Sequence, residues 1–288
     1  NAGLIIVDEV SMLDLETASY LFAAVKNGTI LILCGDDNQL ESVGYGKVLA
    51  DLIDCGKVEV YRLYQIMRQS GTICENASAI LKGITNIKTD KTFSLSHYSS
   101  DKEAVEAMMQ NLIYRQSFVL SPIKNKDVSG VYALNKKIQG SVSDLSYCFS
   151  HNKERYHIGD RIIMTQTNYE QGYFNGDIGT ISSYCDGIAT VIFFDKILTL
   201  SRDDFSNMQL AYSITVHKSQ GSEIEDVHIV LPDSCKNMLT RRIVYTAITR
   251  AKSHVYIYSV GNAFEYAVKN KAEHQRQSNL VYRITGNR

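Results

Sequence analysis

The 288-residue sequence lacks the features that mark several classes of protein. Its formal net charge is −1, so no global basic field attracts nucleic acid, and such binding would need a local groove. The cysteines form no C-x-x-C pair, which argues against a zinc site and predicts reduced, cytosolic thiols. Because the sequence contains neither a signal peptide nor an apolar run of bilayer length, we expect a cytoplasmic protein.

A phosphate-binding loop is also missing from the sequence. Such a loop, G-x-x-x-x-G-K-[ST], cradles phosphates with its backbone amides, while its Lys and its hydroxyl serve phosphate and metal. The pairs Gly46-Lys47 and Gly56-Lys57 are each followed by Val, and neither has a second Gly five positions before its own. The sequence opens with N-A-G, without Met, directly before an apolar run. We therefore expect the chain to begin partway through a larger protein.

Strand-like and helix-like segments alternate along most of the chain, which argues for α/β units around parallel sheets. The runs that we predict to be buried strands are L-I-I-V-D (4–8), I-L-I-L-C-G (30–35), V-E-V-Y-R-L (58–63), S-F-V-L-S-P (117–122), D-V-H-I-V-L-P (226–232) and H-V-Y-I-Y-S-V (254–260). The segments that we predict to be helical are 15–26, 46–54, 101–115 and 241–252.

Residues 151–205 follow a different pattern, with short alternating runs separated by Gly, Asp and Asn turns. This pattern predicts a small β-barrel inserted into the α/β pattern. Asn175 opens an N-G-D sequence, which is a strong hairpin-turn signal. Tyr169, Tyr173 and Phe174 near this turn have the side chains that stack on nucleic-acid bases. A structural role is favoured for each of them, because the chain contains 18 tyrosines.

The first chemical pattern is the pair of carboxylates, Asp8 and Glu9, at the end of the first apolar run. Open α/β sheets bind their ligands at the carboxyl ends of strands. At such a position, Asp8 is suited to hold Mg²⁺ through water, and Glu9 is suited to polarise an attacking water.

A glutamine and two arginines form the next candidates. Gln39 follows the strand at 30–35, where its amide is suited to contact a terminal phosphate or the attacking water; taken alone, a simple turn is the favoured interpretation. Arg68 and Arg250 are suited to stabilise charge on a transferring phosphoryl group. The alternatives left open are a surface ion pair for Arg68 and complementation of a helix dipole for Arg250.

A cluster of polar side chains lies just before Gly221. Thr215, His217, Lys218, Ser219 and Gln220 place hydroxyl, amide and amine donors within six positions. Such donors make sequence-independent contacts to phosphates. The alternative for any one of these residues is a polar turn.

Five segments, in this order, closely resemble motifs II to VI of superfamily 1 helicases. They are V-D-E-V-S-M-L-D (7–14), C-G-D-D-N-Q-L-E-S-V-G-Y-G-K-V-L (34–49), Y-R-L-Y-Q-I-M-R-Q (61–69), T-V-H-K-S-Q-G-S-E-I-E-D-V-H-I-V (215–230) and Y-T-A-I-T-R-A-K (245–252). Three further segments resemble the RecD-like branch of this superfamily. They are H-K-S-Q-G-S-E (217–223), F-N-G-D-I-G-T-I (174–181) in the predicted barrel, and residues 117–139. That branch includes the alpha subunit of exodeoxyribonuclease V and related 5′-to-3′ DNA helicases. The resemblance extends from Leu4 to about Ile257.

The resemblance implies a set of site residues and cofactors, which are ATP and Mg²⁺. The implied nucleotide-site residues are Asp8 as the metal residue, Glu9 as the water-activating residue, Gln39 as the γ-phosphate sensor, Arg68 and Arg250 as paired arginines, Gly221 at the interface of the lobes and Glu223 near the nucleotide sugar. The implied DNA-binding residues are Thr215, His217, Lys218, Ser219 and, in the barrel, Asn175.

The resemblance also implies the architecture and the activity. It implies an α/β fold with two RecA-like P-loop NTPase lobes, the first one truncated, and an inserted SH3-like β-barrel. Residues 1–70 would belong to the first lobe, residues 71–150 and 206–288 to the second, and residues 151–205 to the barrel. The parent would be an ATP-dependent 5′-to-3′ helicase on single-stranded DNA in recombination or repair, possessing exonuclease V-type partner subunits. We expect the 288 residues alone to be inactive as an ATPase.

The sequence departs from the family pattern at Glu41 and Tyr45, where the family usually has Pro. The loss of Pro loosens a turn but removes no catalytic group. Two alternatives remain open from the sequence: a non-catalytic DNA- or partner-binding module with helicase-like lobes, and another superfamily 1 branch, either a relaxase-helicase or an RNA helicase. A reading frame upstream of Asn1 that encodes a phosphate loop would favour the helicase.

Overall fold

The computed structural model describes residues 2–63, 71–113, 116–142, 147–271 and 278–286, with residues 147 and 148 described by their backbone alone. The helices are α1 (Leu15–Ala24), α2 (Val48–Asp54), α3 (Thr72–Leu81), α4 (Asp101–Asn111), α5 (Val131–Val142), α6 (Arg241–Ile248), α7 (Ala263–Lys269) and α8 (Leu280–Thr285). The strands are β1 (Leu4–Val7), β2 (Ile30–Leu33), β3 (Phe93–Tyr98), β4 (Ser117–Ser121), β5 (Tyr147–His151), β6 (Glu154–His157), β7 (Arg161–Met164), β8 (Ile178–Cys185), β9 (Ile188–Phe193), β10 (Ile197–Leu200), β11 (Met208–Leu210), β12 (Ser213–Thr215), β13 (Ile224–Leu231) and β14 (Ala251–Val260).

Residues 2–63, here called the first lobe, contain a parallel ladder of β1 and β2 with Leu4 opposite Ile30. Asp14 caps α1, since its Oδ1 accepts the Thr17 amide at 2.8 Å. We predicted that the first strand is buried on both faces, and this prediction is wrong. Ile6 is 61% exposed, because in the described part of the chain the ladder has two strands only and one of its faces stays uncovered.

The prediction of a strand at V-E-V-Y-R-L (58–63) is also wrong. Residues 58–63 form no strand in the structure, and Tyr61 and Leu63 are largely exposed. The segment is held through Arg62, whose guanidinium lies 3.1 Å from the carboxylate of Asp37. An apolar run becomes a strand only where a neighbouring strand offers backbone partners, and no described strand does so here.

Residues 71–142 and 211–271, here called the second lobe, contain an all-parallel sheet in the order β12-β4-β13-β14-β3. One face packs on α3, α6 and α7, and the other packs on α4 and α5. Parallel strands buried in this way by helices on both faces confirm the predicted α/β class. Side chains start the helices: Thr240 accepts the Ile243 amide before α6, and Ser100 accepts the Glu103 amide before α4.

Residues 147–210, here called the insert, form an antiparallel sheet in the order β10-β9-β8-β7-β11, preceded by the β5–β6 hairpin. The predicted turns occur where the backbone needs positive φ. Asn152 and Lys153 have φ values of 48° and 67° between β5 and β6, and Asp186 has φ 51° between β8 and β9. Strand β11 completes the sheet by pairing with β7. Within the described ranges, no helix has the length and apolar character that crossing a membrane requires.

Asp160 fastens the insert to the second lobe. Its carboxylate is fully buried and accepts the Gln139 side-chain amide of α5 at 2.6 Å, the His157 backbone amide at 2.8 Å and the Tyr212 hydroxyl at 2.8 Å. Hydrogen bonds to a buried charged group are among the strongest that a side chain makes. This carboxylate therefore helps to set the orientation of the insert.

We expect Asp160→Ala to lower the free energy of unfolding by about 2–4 kcal/mol, because it leaves buried donors without an acceptor. Asp195→Ala provides the control: Asp195 is exposed on the β9–β10 turn, and its loss should change stability by less than about 0.5 kcal/mol. Urea unfolding followed by circular dichroism measures both values. Equal stabilities of the two variants would contradict this role of Asp160.

Candidate functional site

Asp8 and Glu9 follow the end of β1, and the backbone turns at Glu9 through a rarely populated conformation. Glu9 has φ 52° and ψ 39°, in the left-handed region that costs a non-glycine residue about 1–2 kcal/mol. The turn lets the Glu9 amide donate to Asp8 Oδ1 at 2.8 Å and begins a short 3₁₀ helix, Val10–Met12. The amide of Val10 donates to the carbonyl of Cys34, just after β2. The Asp8 side chain is exposed and that of Glu9 is half-buried.

Arg250 approaches Glu9 from the second lobe. Its side chain is 1% exposed, and its Nε and Nη1 donate to the carbonyls of Thr246 and Ser222 at 3.3 and 3.4 Å. Nη1 lies 4.0 Å from Glu9 Oε1. A buried guanidinium needs nearby negative charge. The side chain of Arg250 is therefore directed at the junction with the first lobe, where Glu9 supplies that charge.

Gly221 borders the same junction. It has φ +75°, and a Cβ added to it would lie 4.0 Å from Glu9 Cγ. A side chain at position 221 would therefore occupy the space in front of Glu9. Glu223 follows on the second lobe, where its carboxylate lies 2.6 Å from Lys252 Nζ.

The main chain of Leu40 is held from the second lobe on both sides. Its amide donates to Thr246 Oγ1 at 3.0 Å, and its carbonyl accepts the Gln220 side-chain amide at 2.8 Å. Glu41 adds an ion pair with Arg242, at 2.8 Å. The loop that carries Gln39 is thereby fixed against α6 and the turn before Gly221.

Gln39 itself is 9% exposed. Its Nε2 donates to Asp36 Oδ2 at 3.4 Å, and the same carboxylate oxygen accepts the Tyr245 hydroxyl of α6 at 2.9 Å. The Gln39 Oε1 atom has no hydrogen-bond partner among the described residues. Burial, and after it the charge of Asp36, raises the pKa of the Tyr245 hydroxyl, which therefore remains a donor at neutral pH.

The structure thus brings Glu9 together with Gly221 and Arg250 from positions far apart in the sequence. Asp8 adjoins Glu9, and Gln39 lies on the loop that the second lobe holds through Leu40. Arg68 lies outside the described residues, so its predicted place at this site stays a prediction. Sequence reasoning missed Asp36, Tyr245 and Thr246 as members of the site. Tyr245 and Thr246 recur at helical spacing on the segment that became α6, and Asp36 follows the strand at 30–35 in the same loop as Gln39.

The polar segment at 215–219 divides between surface and interior. Lys218 Nζ donates to Gln209 Oε1 at 3.5 Å, and Lys218 lines a cleft with Lys124, Tyr132 and Thr215. Burial, and after it the charge of Lys124, lowers the pKa of Lys218. Thr215 is mostly buried, and its Oγ1 accepts the Lys218 amide.

Two of the predicted DNA-binding residues have contrasting surroundings. Ser219 is 0% exposed and donates to the Val216 carbonyl at 2.8 Å. In this conformation it cannot contact a strand, because its hydroxyl closes the 3₁₀ turn from inside. Asn175 is exposed beside Phe174, whose ring lies 4.9 Å from Lys196 Nζ.

Solved structures of Pif1 helicases share this fold. Pif1 from Bacteroides in complex with ADP-AlF3 and ssDNA superposes with a TM-score of 0.60 at 16% identity, over 94% of this chain and 73% of that chain. Pif1 from Candida albicans superposes with a TM-score of 0.52 at 16% identity, over 98% of this chain and 76% of that chain. The fold is therefore the α/β RecA-like helicase fold.

Comparisons with known sequences show which helicases this chain is similar to. Residues 1–103 match the AAA domain model, and residues 210–258 match the UvrD-like helicase C-terminal domain. The chain is 31% identical to the ATP-dependent RecD2 DNA helicase of Deinococcus radiodurans, over 98% of this chain and 39% of that protein. It is 28% identical to the RecBCD enzyme subunit RecD of Mycolicibacterium smegmatis, over 93% of this chain and 52% of that protein. These matches confirm the resemblance to RecD-like superfamily 1 helicases. The chain spans about half or less of the length of these relatives.

The left-handed turn at Glu9 can be tested by comparing Glu9→Gly with Glu9→Ala. Both variants remove the carboxylate, so their difference isolates the backbone. We expect Glu9→Gly to be the more stable by about 1 kcal/mol, because Gly adopts positive φ without a Cβ clash. Urea unfolding of both variants measures the difference, and an alanine variant at least as stable as the glycine variant would contradict the turn.

Proposed function

We propose that these residues form part of an ATP-dependent 5′-to-3′ DNA helicase that couples ATP hydrolysis to translocation on single-stranded DNA, in recombination or repair. The observation that carries the proposal is the meeting of Glu9 with Arg250, 4.0 Å apart, at the junction of two lobes. An acid from one lobe and a buried arginine from the other are what phosphoryl transfer at a closing interface needs. The RecD-type names of the relatives agree with this activity.

Mg²⁺ and ATP are the proposed cofactors, and the residues present fit them. No cluster of three or more metal-binding side chains occurs in the described ranges, but Mg²⁺ keeps most of its waters and needs only one or two carboxylates. The exposed carboxylate of Asp8 suits such water-mediated binding. When bound, Mg²⁺ neutralises charge that develops on the phosphates.

The other side chains have complementary roles in the proposal. Glu9 polarises the attacking water, Gln39 contacts that water or the γ-phosphate, and Arg250 stabilises the charge on the transferring group. Arg68 is proposed as the second arginine. Gly221 leaves space for the nucleotide beside Glu9, and Glu223 is proposed to lie near the sugar.

Single-stranded DNA is the proposed second ligand. Lys218, Thr215 and His217 are proposed to contact the backbone of the strand along the cleft that Lys124 and Tyr132 also line. A lysine beside an exposed aromatic ring is a common arrangement for single strands. Asn175 is proposed to extend this path onto the insert, whereas the buried Ser219 is omitted from it.

The proposed organisation follows the sequence prediction, in which residues 1–70 belong to a first RecA-like lobe, residues 71–150 and 206–288 to a second, and residues 151–205 to an SH3-like barrel that guides the strand. Because β5 and β11 pair within the insert, we extend its proposed bounds to 147 and 210. The antiparallel order β10-β9-β8-β7-β11 supports an insert built of β-strands. Exonuclease V-type subunits are proposed as partners, since relatives are named as subunits of the RecBCD enzyme.

The proposed chemistry predicts that Glu9→Gln abolishes ATP hydrolysis. In the gene product that contains these 288 residues, DNA-stimulated kcat should fall by at least about 100-fold, because the amide cannot polarise the water. KM for ATP should change little, since Glu9 acts on the water and not on the nucleotide. A coupled assay of ADP release with single-stranded DNA measures both constants.

Glu16→Gln is the matched control for this experiment. It makes the same carboxylate-to-amide change on the exposed face of α1 in the same lobe and should leave kcat within about twofold of wild type. A Glu9→Gln variant with wild-type turnover, or a wild-type protein without DNA-stimulated hydrolysis, would overturn the proposed function.

The lowered pKa of Lys218 predicts a pH dependence of DNA binding. Burial lowers the pKa of Lys218 from its ordinary value of 10.5, so the side chain becomes neutral at a lower pH than an exposed lysine does. A DNA phosphate attracts only the charged form. Affinity for a labelled single-stranded oligonucleotide should therefore fall as pH rises toward 10.5, and the fall should begin at a lower pH than for an ordinary lysine.

Lys218→Arg is the control for the pH series, since arginine stays charged throughout this range. Its affinity, measured by fluorescence anisotropy at constant salt, should stay flat while the wild-type affinity falls. Parallel pH profiles of the two proteins would show that Lys218 is not a phosphate contact.

A further inference from the structure

One carboxylate oxygen of Asp36 receives hydrogen bonds from both lobes. Oδ2 accepts the Tyr245 hydroxyl of α6 at 2.9 Å and the Gln39 side-chain amide of its own loop at 3.4 Å. The other oxygen, Oδ1, accepts the Asn38 backbone amide at 2.9 Å. Asp36 is therefore held by its own loop on one side and by the second lobe on the other.

The carboxylate of Asp36 fixes which way the amide of Gln39 faces. An ionised carboxylate only accepts hydrogen bonds, so the nitrogen of the amide must face it and the oxygen must face away. That oxygen, Oε1, is buried and has no partner in the ranges that the structure describes. A buried acceptor without a donor is unfavourable. The oxygen is thus placed to accept a hydrogen bond from a ligand such as a water molecule.

Tyr245 reaches this network only from the second lobe. Its ring packs against the core of that lobe, and its hydroxyl crosses the junction. Burial and the charge of Asp36 keep the hydroxyl protonated, so it can serve only as a donor to the carboxylate. The hydrogen bond exists when the two lobes are in contact and is lost when they separate.

We propose that Tyr245 is a positioning residue for Gln39: by holding Asp36 from the second lobe, it orients the Gln39 amide so that Oε1 accepts the attacking water only when the lobes are together. In this role Tyr245 acts through Asp36 and not on the reacting atoms. The inference rests on the proposed function and adds a means by which lobe contact is sensed at the water.

A simpler role for Tyr245 would be to hold the lobes together. The neighbouring ion pair between Glu41 and Arg242 crosses the same junction at 2.8 Å. Glu41→Gln weakens this pair while it leaves the Asp36 carboxylate and the Tyr245 hydroxyl in place. Glu41 therefore provides a comparison that separates lobe contact from the hydrogen bond of Tyr245.

The test measures steady-state ATP hydrolysis with single-stranded DNA in the gene product that contains these residues. The variants are Y245F, Q39A and E41Q, with the double variants Y245F/Q39A and E41Q/Q39A. We expect Y245F to lower kcat about tenfold, the size of one hydrogen bond to a charged group, with KM for ATP within about twofold. Because Tyr245 acts through Gln39, Y245F/Q39A should be no slower than Q39A. Any loss in E41Q reflects weaker lobe contact instead, so the losses in E41Q/Q39A should multiply.

Three results would overturn the inference: wild-type kcat in Y245F, multiplicative losses in Y245F/Q39A, or losses in E41Q/Q39A that are as non-additive as those in Y245F/Q39A. If Y245F fails to fold by circular dichroism, D36A removes the shared acceptor instead and should show the same non-additivity with Q39A. Failure of the proposed function is recognised separately, since wild-type protein would then lack hydrolysis or E9Q would retain it. In that case the inference fails with it.

Discussion

The junction between the lobes depends on how the main chain of Leu40 is paired. Its amide and its carbonyl are both held by buried side chains of the second lobe, Thr246 and Gln220. Buried backbone groups need partners, and each such bond contributes only about 1 kcal/mol net because water can replace it. The register between the lobes is therefore specific and yet reversible. In the proposed helicase, a cleft that opens and closes during turnover needs this combination.

The buried charge of Arg250 also constrains the junction between the lobes. A guanidinium that is 1% exposed is unfavourable unless negative charge lies close by. The carboxylate of Glu9 at 4.0 Å is at the outer limit of an ion pair, and the guanidinium also donates to the carbonyls of Thr246 and Ser222 and to the Thr249 hydroxyl. A second negative group, such as a phosphate between the lobes, would improve the surroundings of this charge. In the proposed helicase, nucleotide binding therefore favours contact between the lobes.

The α/β class could be predicted from the sequence, and so could the placement of Asp8 and Glu9 after a strand and of Arg250 after a helix. These features depend on short stretches of sequence, namely the ends of strands and the residues of each motif. The sequence was misleading where tertiary surroundings decide. Ile6 is exposed because its ladder has no further described strand, and Ser219 is buried because a 3₁₀ turn can direct its hydroxyl inward. The pairing of Glu41 with Arg242 joins residues 201 positions apart. No local pattern predicts such a pair, and at most about 1 kcal/mol is gained from it.

The attachment of the insert has a mechanical consequence. Asp160 ties the insert to α5 and to Tyr212, and Arg161 Nη1 donates to the Ser117 carbonyl of β4 at 2.7 Å while its guanidinium lies over the Phe118 ring. These anchors hold the insert to the central sheet of the second lobe, so the insert is expected to move together with that lobe. A rotation of the second lobe would then also displace Asn175 and the exposed rings of Tyr169 and Phe174, whereas Tyr173 is buried inside the insert.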